Sequence, residues 1–199
     1  MRCLFFDIIL LGDDMSNYFI IHGSFSSPFS NWIPYLRGKL VSLDRSVYTP
    51  DLPSGVGYQS YDSWKKIMDG YVECGLLNEN TIIFAHSIGP VFISKYLIEK
   101  KLKVKRLVYV CGFNNYLGID DDYDAVNESM YLDNLSDIKN YCKDIICMYS
   151  DNDPYVKMDV EKEFAESITD NIIVYPGGGH LNSESGYQEF GDLLKYVEE

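Results

Sequence analysis

Thr81-Ile82-Ile83-Phe84-Ala85-His86-Ser87-Ile88-Gly89-Pro90, TIIFAHSIGP in one-letter code, is the stretch on which the fold turns. Its β-prone residues run into a polar His-Ser pair, then Gly, then Pro. A strand buried on both faces is short and continuously apolar, without alternation. Proline fits the first turn of a helix, where its missing N–H costs nothing. The stretch therefore reads as strand, sharp turn, helix. Downstream, Val91, Ile93, Tyr96, Leu97 and Ile98 form one apolar stripe, with Lys95 and Glu99 off it. A serine on such a turn has the geometry of a nucleophile elbow. Strand and helix then come so close that the residues two before and two after the serine must be small. Here they are Ala85 and Gly89 around Ser87. The common form has glycine at both places, and alanine is the next smallest residue. The plainer alternative is a helix N-cap serine.

Similar runs recur along the chain. Tyr18–Ile21, Val47–Thr49, Arg106–Cys111, Ile145–Tyr149 and Ile172–Tyr175 read as further buried strands. Between them, 32–43, 61–74, 90–101, 156–168 and 186–197 carry helical spacing. Alternating β and α elements predict an α/β fold, a parallel sheet with helices on both faces. The segment 113–135 breaks the alternation and carries GIDDDYD over 118–124. A stretch of that length after a strand is either disordered or functional.

In parallel α/β sheets, functional residues gather at the carboxyl ends of strands. HGSFSSP follows the first run, HSIGP the third, SDNDPYV the fifth and PGGGHL the last. These supply Ser, Asp and His in that chain order. A serine hydroxyl needs a base to take its proton. Of the three histidines, His180 in its glycine loop is the best base, His86 adjoins the nucleophile, and His22 reads as shaping its own loop. The histidine needs an orienting carboxylate. Asp153, made rigid by Pro154, is chosen over Asp151, which reads as a turn former. An oxyanion hole would draw on the Ile88 N–H and on the loop at Ser24 and Phe25, where Gly23 permits a tight backbone. Phe25, Phe29 and Trp32 are candidates to line an acyl pocket, with the tyrosines of 113–135 as candidate substrate contacts. For Trp32 and Trp64 the alternative is core packing.

Composition narrows the function classes. At 199 residues, 46% hydrophobic and 15% aromatic, the chain has the length and make-up of one domain with a sizeable core. A net charge of −13 argues against nucleic acid and against anionic membrane surfaces. The five cysteines are odd in number and have no C-x-x-C spacing, so they read as reduced thiols of a cytoplasmic protein without a zinc site. MRCLFFDIILLG at the start resembles a short signal peptide, but Asp7 interrupts it and no small-residue cleavage site follows. Residues 1–14 are read as an extension outside the core that need not be ordered, with 15–199 a single domain.

HGSFSSPFSNWIPYL (22–36), YTPDLPSG (48–55), AHSIG (85–89), SDNDPYV (150–156) and GGGHLNSESGYQEF (177–190) carry a further resemblance. The chain resembles α/β-hydrolases of the small serine hydrolase family typified by the bacterial YdeN-like proteins and mammalian retinoblastoma-binding protein 9. The resemblance covers about Asn17 to the C-terminus, and the run after His180 is its most specific part. It implies the triad Ser87, Asp153 and His180, a minimal three-layer α/β-hydrolase fold of about six parallel strands, and a small cap, for which 113–135 is the candidate. It departs at Ala85, and the retinoblastoma-binding motif L-x-C-x-E is absent. The expected activity is cleavage of a small ester, thioester or amide through an acyl-enzyme, without metal or organic cofactor. The alternatives are a binding module that kept the fold without turnover, and a minimal secreted lipase. Oligomeric state leaves no signature in the sequence.

Overall fold

The structure, a computed structural model, describes residues 16–198. The extension expected over 1–14 lies outside them. Six strands form one sheet: β1 (Tyr18–Ile21), β2 (Val47–Tyr48), β3 (Ile82–His86), β4 (Arg106–Val110), β5 (Asp144–Ser150) and β6 (Ile172–Tyr175). Their spatial order is β2-β1-β3-β4-β5-β6, and every neighbouring pair is parallel.

The side-chain period of a strand is two, so each apolar run feeds two cores. Phe19, Ile21, Ile83, Ala85, Leu107, Tyr109, Cys147 and Tyr149 face one layer. Tyr18, Ile20, Ile82, Phe84, Val108, Val110, Ile146 and Met148 face the other. That double burial is why the runs lack alternation. The first layer is closed by α2 (Tyr61–Glu73), α3 (Gly89–Lys100) and α5 (Met158–Ile168). The second is closed by α1 (Ile33–Ser42) and a C-terminal 3₁₀ segment, Gly191–Tyr196. Trp32 and Trp64 are both fully buried.

Two expectations need correction. The helix expected over 186–197 is a 3₁₀ turn confined to Gly191–Tyr196. Gly186 has a left-handed φ of 87° and breaks the chain before a helix can start. Phe190 and Leu193 still reach the core, which explains the helix-like spacing. The segment 113–135 is not a structureless loop, because it contains a helix, α4 (Asp121–Glu128). The Asp120 carboxylate accepts the Tyr123 N–H at 2.7 Å, and Asp121, Asp122 and Asp124 occupy the first turn. Negative charge there complements the helix dipole. The acidic run GIDDDYD thus leads into a helix start. No helix of the described residues is long and apolar enough to cross a membrane.

Candidate active site

The register of the sheet aligns the strand ends. His86 sits opposite Val110, Val110 opposite Met148, and Ser150 opposite Tyr175. The residues just past β3, β4, β5 and β6 therefore share one edge.

Past β3, Ser87 has φ 62°, left-handed for a residue with a Cβ. Such a conformation costs energy and persists only where its surroundings enforce it. The Ser87 N–H donates to Val110 O at 2.9 Å, pinning the turn to the neighbouring strand. The packing explains the small residues. A Cβ on Gly23 would lie 2.7 Å from Ser87 Cβ, and one on Gly89 would lie 3.0 Å from His22 O. The loop after β1 thus passes directly over Ser87, and α3 starts against the end of β1.

Past β5 and β6, His180 Nδ1 lies 2.5 Å from Asp153 Oδ2. Asp153 Oδ1 accepts the N–H groups of Tyr155 at 2.8 Å and Val156 at 3.1 Å. Burial opposes the Asp153 charge, but these bonds, led by that from His180, hold its carboxyl below the usual range. Asp151 instead accepts the Gly177 N–H at 2.7 Å, and Asn152 accepts that of Gly179 at 2.8 Å. Both pin the glycine loop that presents His180. Gly179, at φ 58°, has Ser185 Oγ only 2.2 Å from where a Cβ would sit.

The other histidines are structural. His86 Nε2 bonds His180 O at 3.0 Å, and the two rings lie 4.8 Å apart. Burial pushes the His86 imidazole down to about 3, so it is neutral and serves as a strut under the His180 loop. His22 accepts the Leu52 N–H at Nε2 (3.1 Å) and pairs through Nδ1 with Gly23 O (2.8 Å). It ties the loop over Ser87 to the segment after β2. Burial lowers its basicity too.

Ser87 and His180 open onto one cavity of about 420 Å³, walled also by Ser24, Phe25, Asn31, Tyr123, Tyr155 and Glu184. Among the described residues no hydrogen bond joins Ser87 to His180, and such bonds are commonly long before substrate arrives. Tyr123 and Tyr155 join Phe25 as aromatic walls. Tyr123, on α4, stacks on Phe25 at 6.1 Å, and Tyr155 presents its edge to His180 at 5.2 Å. The Tyr155 hydroxyl donates to Glu184 at 2.7 Å. Tyr155 follows Asp153-Pro154 directly, so the turn after β5 was its only sequence signal.

Phe29 and Trp32 need correction, because neither forms part of the cavity wall. Phe29 is 84% exposed, and Trp32 is buried beneath His86, 5.8 Å ring to ring. The loop after β1 folds over at Ser24 and Phe25, and the chain then turns down into the core ahead of α1. Phe25 does line the cavity. The Ser24 hydroxyl is engaged elsewhere, donating to Asn127 Oδ1 at 2.5 Å, while Gln59 Nε2 donates to both. No backbone carbonyl among the described residues takes the Ile88 or Phe25 N–H.

The side chains of Cys111, Asp153, Glu161 and His180 carry donor atoms within 4.8 Å of one another, a spacing open to a metal ion. Asp153 and His180 are already committed to each other.

A family description, serine hydrolase, matches residues 18–199. The chain belongs to the serine hydrolase family. It is 24% identical over 171 residues to YdeN of Bacillus subtilis (strain 168), covering 85% of this chain and 87% of that one. The crystal structure of the ydeN product superposes with a TM-score of 0.77 at 23% identity, covering 92% of this chain and 98% of that one. Mouse alpha/beta hydrolase domain-containing protein 10 gives 0.68 at 13% identity over 92% and 90%. Est1E from Butyrivibrio proteoclasticus gives 0.65 at 14% over 94% and 91%. The fold is that of the α/β-hydrolases, with the six parallel strands expected from the sequence.

Proposed function

We propose that this serine hydrolase cleaves a small ester, thioester or amide through an acyl-enzyme on Ser87. The observation that carries the reading is His180, bonded at 2.5 Å to Asp153, lining the same cavity as a serine in a left-handed turn. His180 takes the Ser87 proton at Nε2 as Oγ attacks the carbonyl carbon. Asp153, bonded at Nδ1, fixes the tautomer and stabilises the imidazolium. The Ile88 N–H and the backbone of the Ser24–Phe25 loop receive the oxyanion. The leaving alcohol, thiol or amine departs with the proton from His180. Water then attacks the acyl-enzyme, giving His180 its proton, and the acid leaves as Oγ is reprotonated.

The cavity wall includes Asp120 and Glu184 but no Lys or Arg. Carboxylate-bearing substrates are therefore disfavoured, and small neutral polar ones fit. The buried Cys111, Cys142 and Cys147 are free thiols, which suits the reducing cytoplasm.

The test is labelling by a fluorophosphonate probe, followed by p-nitrophenyl esters of graded chain length. Wild type should label, while Ser87→Ala and His180→Ala should not. A folded wild type that stays unlabelled would leave a binding module on a hydrolase fold as the reading.

A further inference from the structure

The proposed triad leaves two buried groups beneath it unused. Glu161, in the first turn of α5, is 1% exposed, and Cys111, just past β4, is fully buried. Cys111 has a left-handed φ of 51°, held by its N–H bond to Met148 O at 2.8 Å. Neither Glu161 carboxyl oxygen has a hydrogen bond of good geometry, although Cys111, Asp153 and the Ser150 backbone lie close enough to interact with it. A buried anion with both oxygens bare is among the costliest arrangements a fold can hold.

The surroundings show how that cost is avoided. An ionised carboxylate offers about four lone-pair positions. Asp153 fills three of them, with the Tyr155 and Val156 N–H groups and with His180. One position remains. One oxygen of Glu161, one of Asp153 and Cys111 Sγ lie within 4.8 Å of one another. That spacing lets a protonated Glu161 direct its O–H toward the open position of Asp153. The Cys111 S–H can then serve the other Glu161 oxygen.

We propose that Glu161, as a neutral carboxylic acid, donates a hydrogen bond to the Asp153 carboxylate and so acts as a positioning residue for His180. This rests on the triad reading above. The groups facing Glu161 agree with it. Burial, then the charge of Asp153, pushes the Glu161 carboxyl up to about 9. Burial, then the charges of Glu161 and Asp153, raises the Cys111 thiol well above its ordinary value. Tyr149 on β5 is raised by burial, with the charges of Glu166 and Glu161 adding to it. All three are neutral at pH 7, leaving Asp153 the one anion in the cluster. A divalent cation on the same donors would have to pull Asp153 from His180 and ionise Glu161 and Cys111, which their burial resists. The predicted effect on catalysis is specific. The donor draws charge from Asp153, and the acid limb of the labelling profile reads that charge.

Two readouts test this. Infrared difference spectra of wild type against Glu161→Gln should show, at pH 7, a protonated-carboxyl C=O band that the variant lacks. The pH dependence of fluorophosphonate labelling should then separate Glu161→Met, which has no donor, from Glu161→Gln, which keeps a neutral one. In the Met variant the acid limb should move up by about half a unit to one unit, and the labelling rate should fall roughly tenfold. Gln should recover most of both. Absence of the infrared band overturns the proposal even if Glu161→Met does not fold. So does a Met variant that labels with the wild-type limb and rate. An unlabelled folded wild type overturns the triad reading itself and takes this proposal with it.

Discussion

Ser87 was legible because its requirements are local. A serine on a tight strand-to-helix turn needs small residues at fixed offsets, and Ala85 and Gly89 supply them. The pairing of Asp153 with His180 was legible for a related reason, each lying in a short polar run after a buried strand. Phe29 and Trp32 were misplaced because nothing local says which way a loop turns; packing beneath His86 decides that. Two predictions belong at this scale. Ser87→Ala should lower kcat on the order of 10⁴-fold or more in ester hydrolysis. Gly23→Ala should lower kcat on the order of 10²-fold while the protein still folds, as judged by circular dichroism. Its methyl would sit 2.7 Å from Ser87 Cβ and must displace either Ser87 or the loop above it.

At the scale of elements, α4 is the part that sequence periodicity described least well. An eight-residue helix with three aspartates in its first turn has too little apolar pattern to stand out. Its place is set by tertiary bonds. Asn127 is fully buried, accepts from Ser24 and Gln59, and donates to Tyr123 O at 2.9 Å. One side chain thus couples α4 to the loop over Ser87 and to the start of α2. Asn127→Ala should cost about 1–3 kcal/mol in urea unfolding, because it leaves buried donors without acceptors. It should also lower kcat/KM, because the Ser24–Phe25 loop and Tyr123 lose their shared anchor. A stability loss with unchanged kcat/KM would show that α4 holds the fold without shaping the site.

For the whole molecule, buried ionisable groups around the site give stability an opposed pH dependence. His86 has a folded value of about 3 against 6.5 in the unfolded chain. As pH falls below about 6.5, the unfolded chain takes up a proton that the folded one refuses, so this contribution is lost on acidification. Glu161 acts the other way. Its folded value of about 9 exceeds the ordinary 4.5, so between those limits the unfolded chain sheds a proton that the folded one keeps. That contribution is full below about 4.5 and is lost as pH rises toward 9. Glu161→Gln should therefore melt above wild type at pH 8, with the gap closing as pH approaches 4.5. Thermal melts across that range check it; a gap independent of pH would mean that Glu161 is already ionised in the fold. A stabilising substitution beneath the site is what a functional, locally costly residue predicts.

The sequence by itself determined the sheet, its parallel sense and the three residues expected to do the chemistry. Burial on both faces and turn geometry are enforced within a few residues of the chain, so they leave local patterns. Only the tertiary structure decided what surrounds those residues: His86 as a strut, Asn127 as an anchor, Tyr123 and Tyr155 as walls, Glu161 beneath Asp153. Each lies far along the chain from what it touches, and its role follows from distance in space and exclusion of water. Neither quantity is written in spacing or composition.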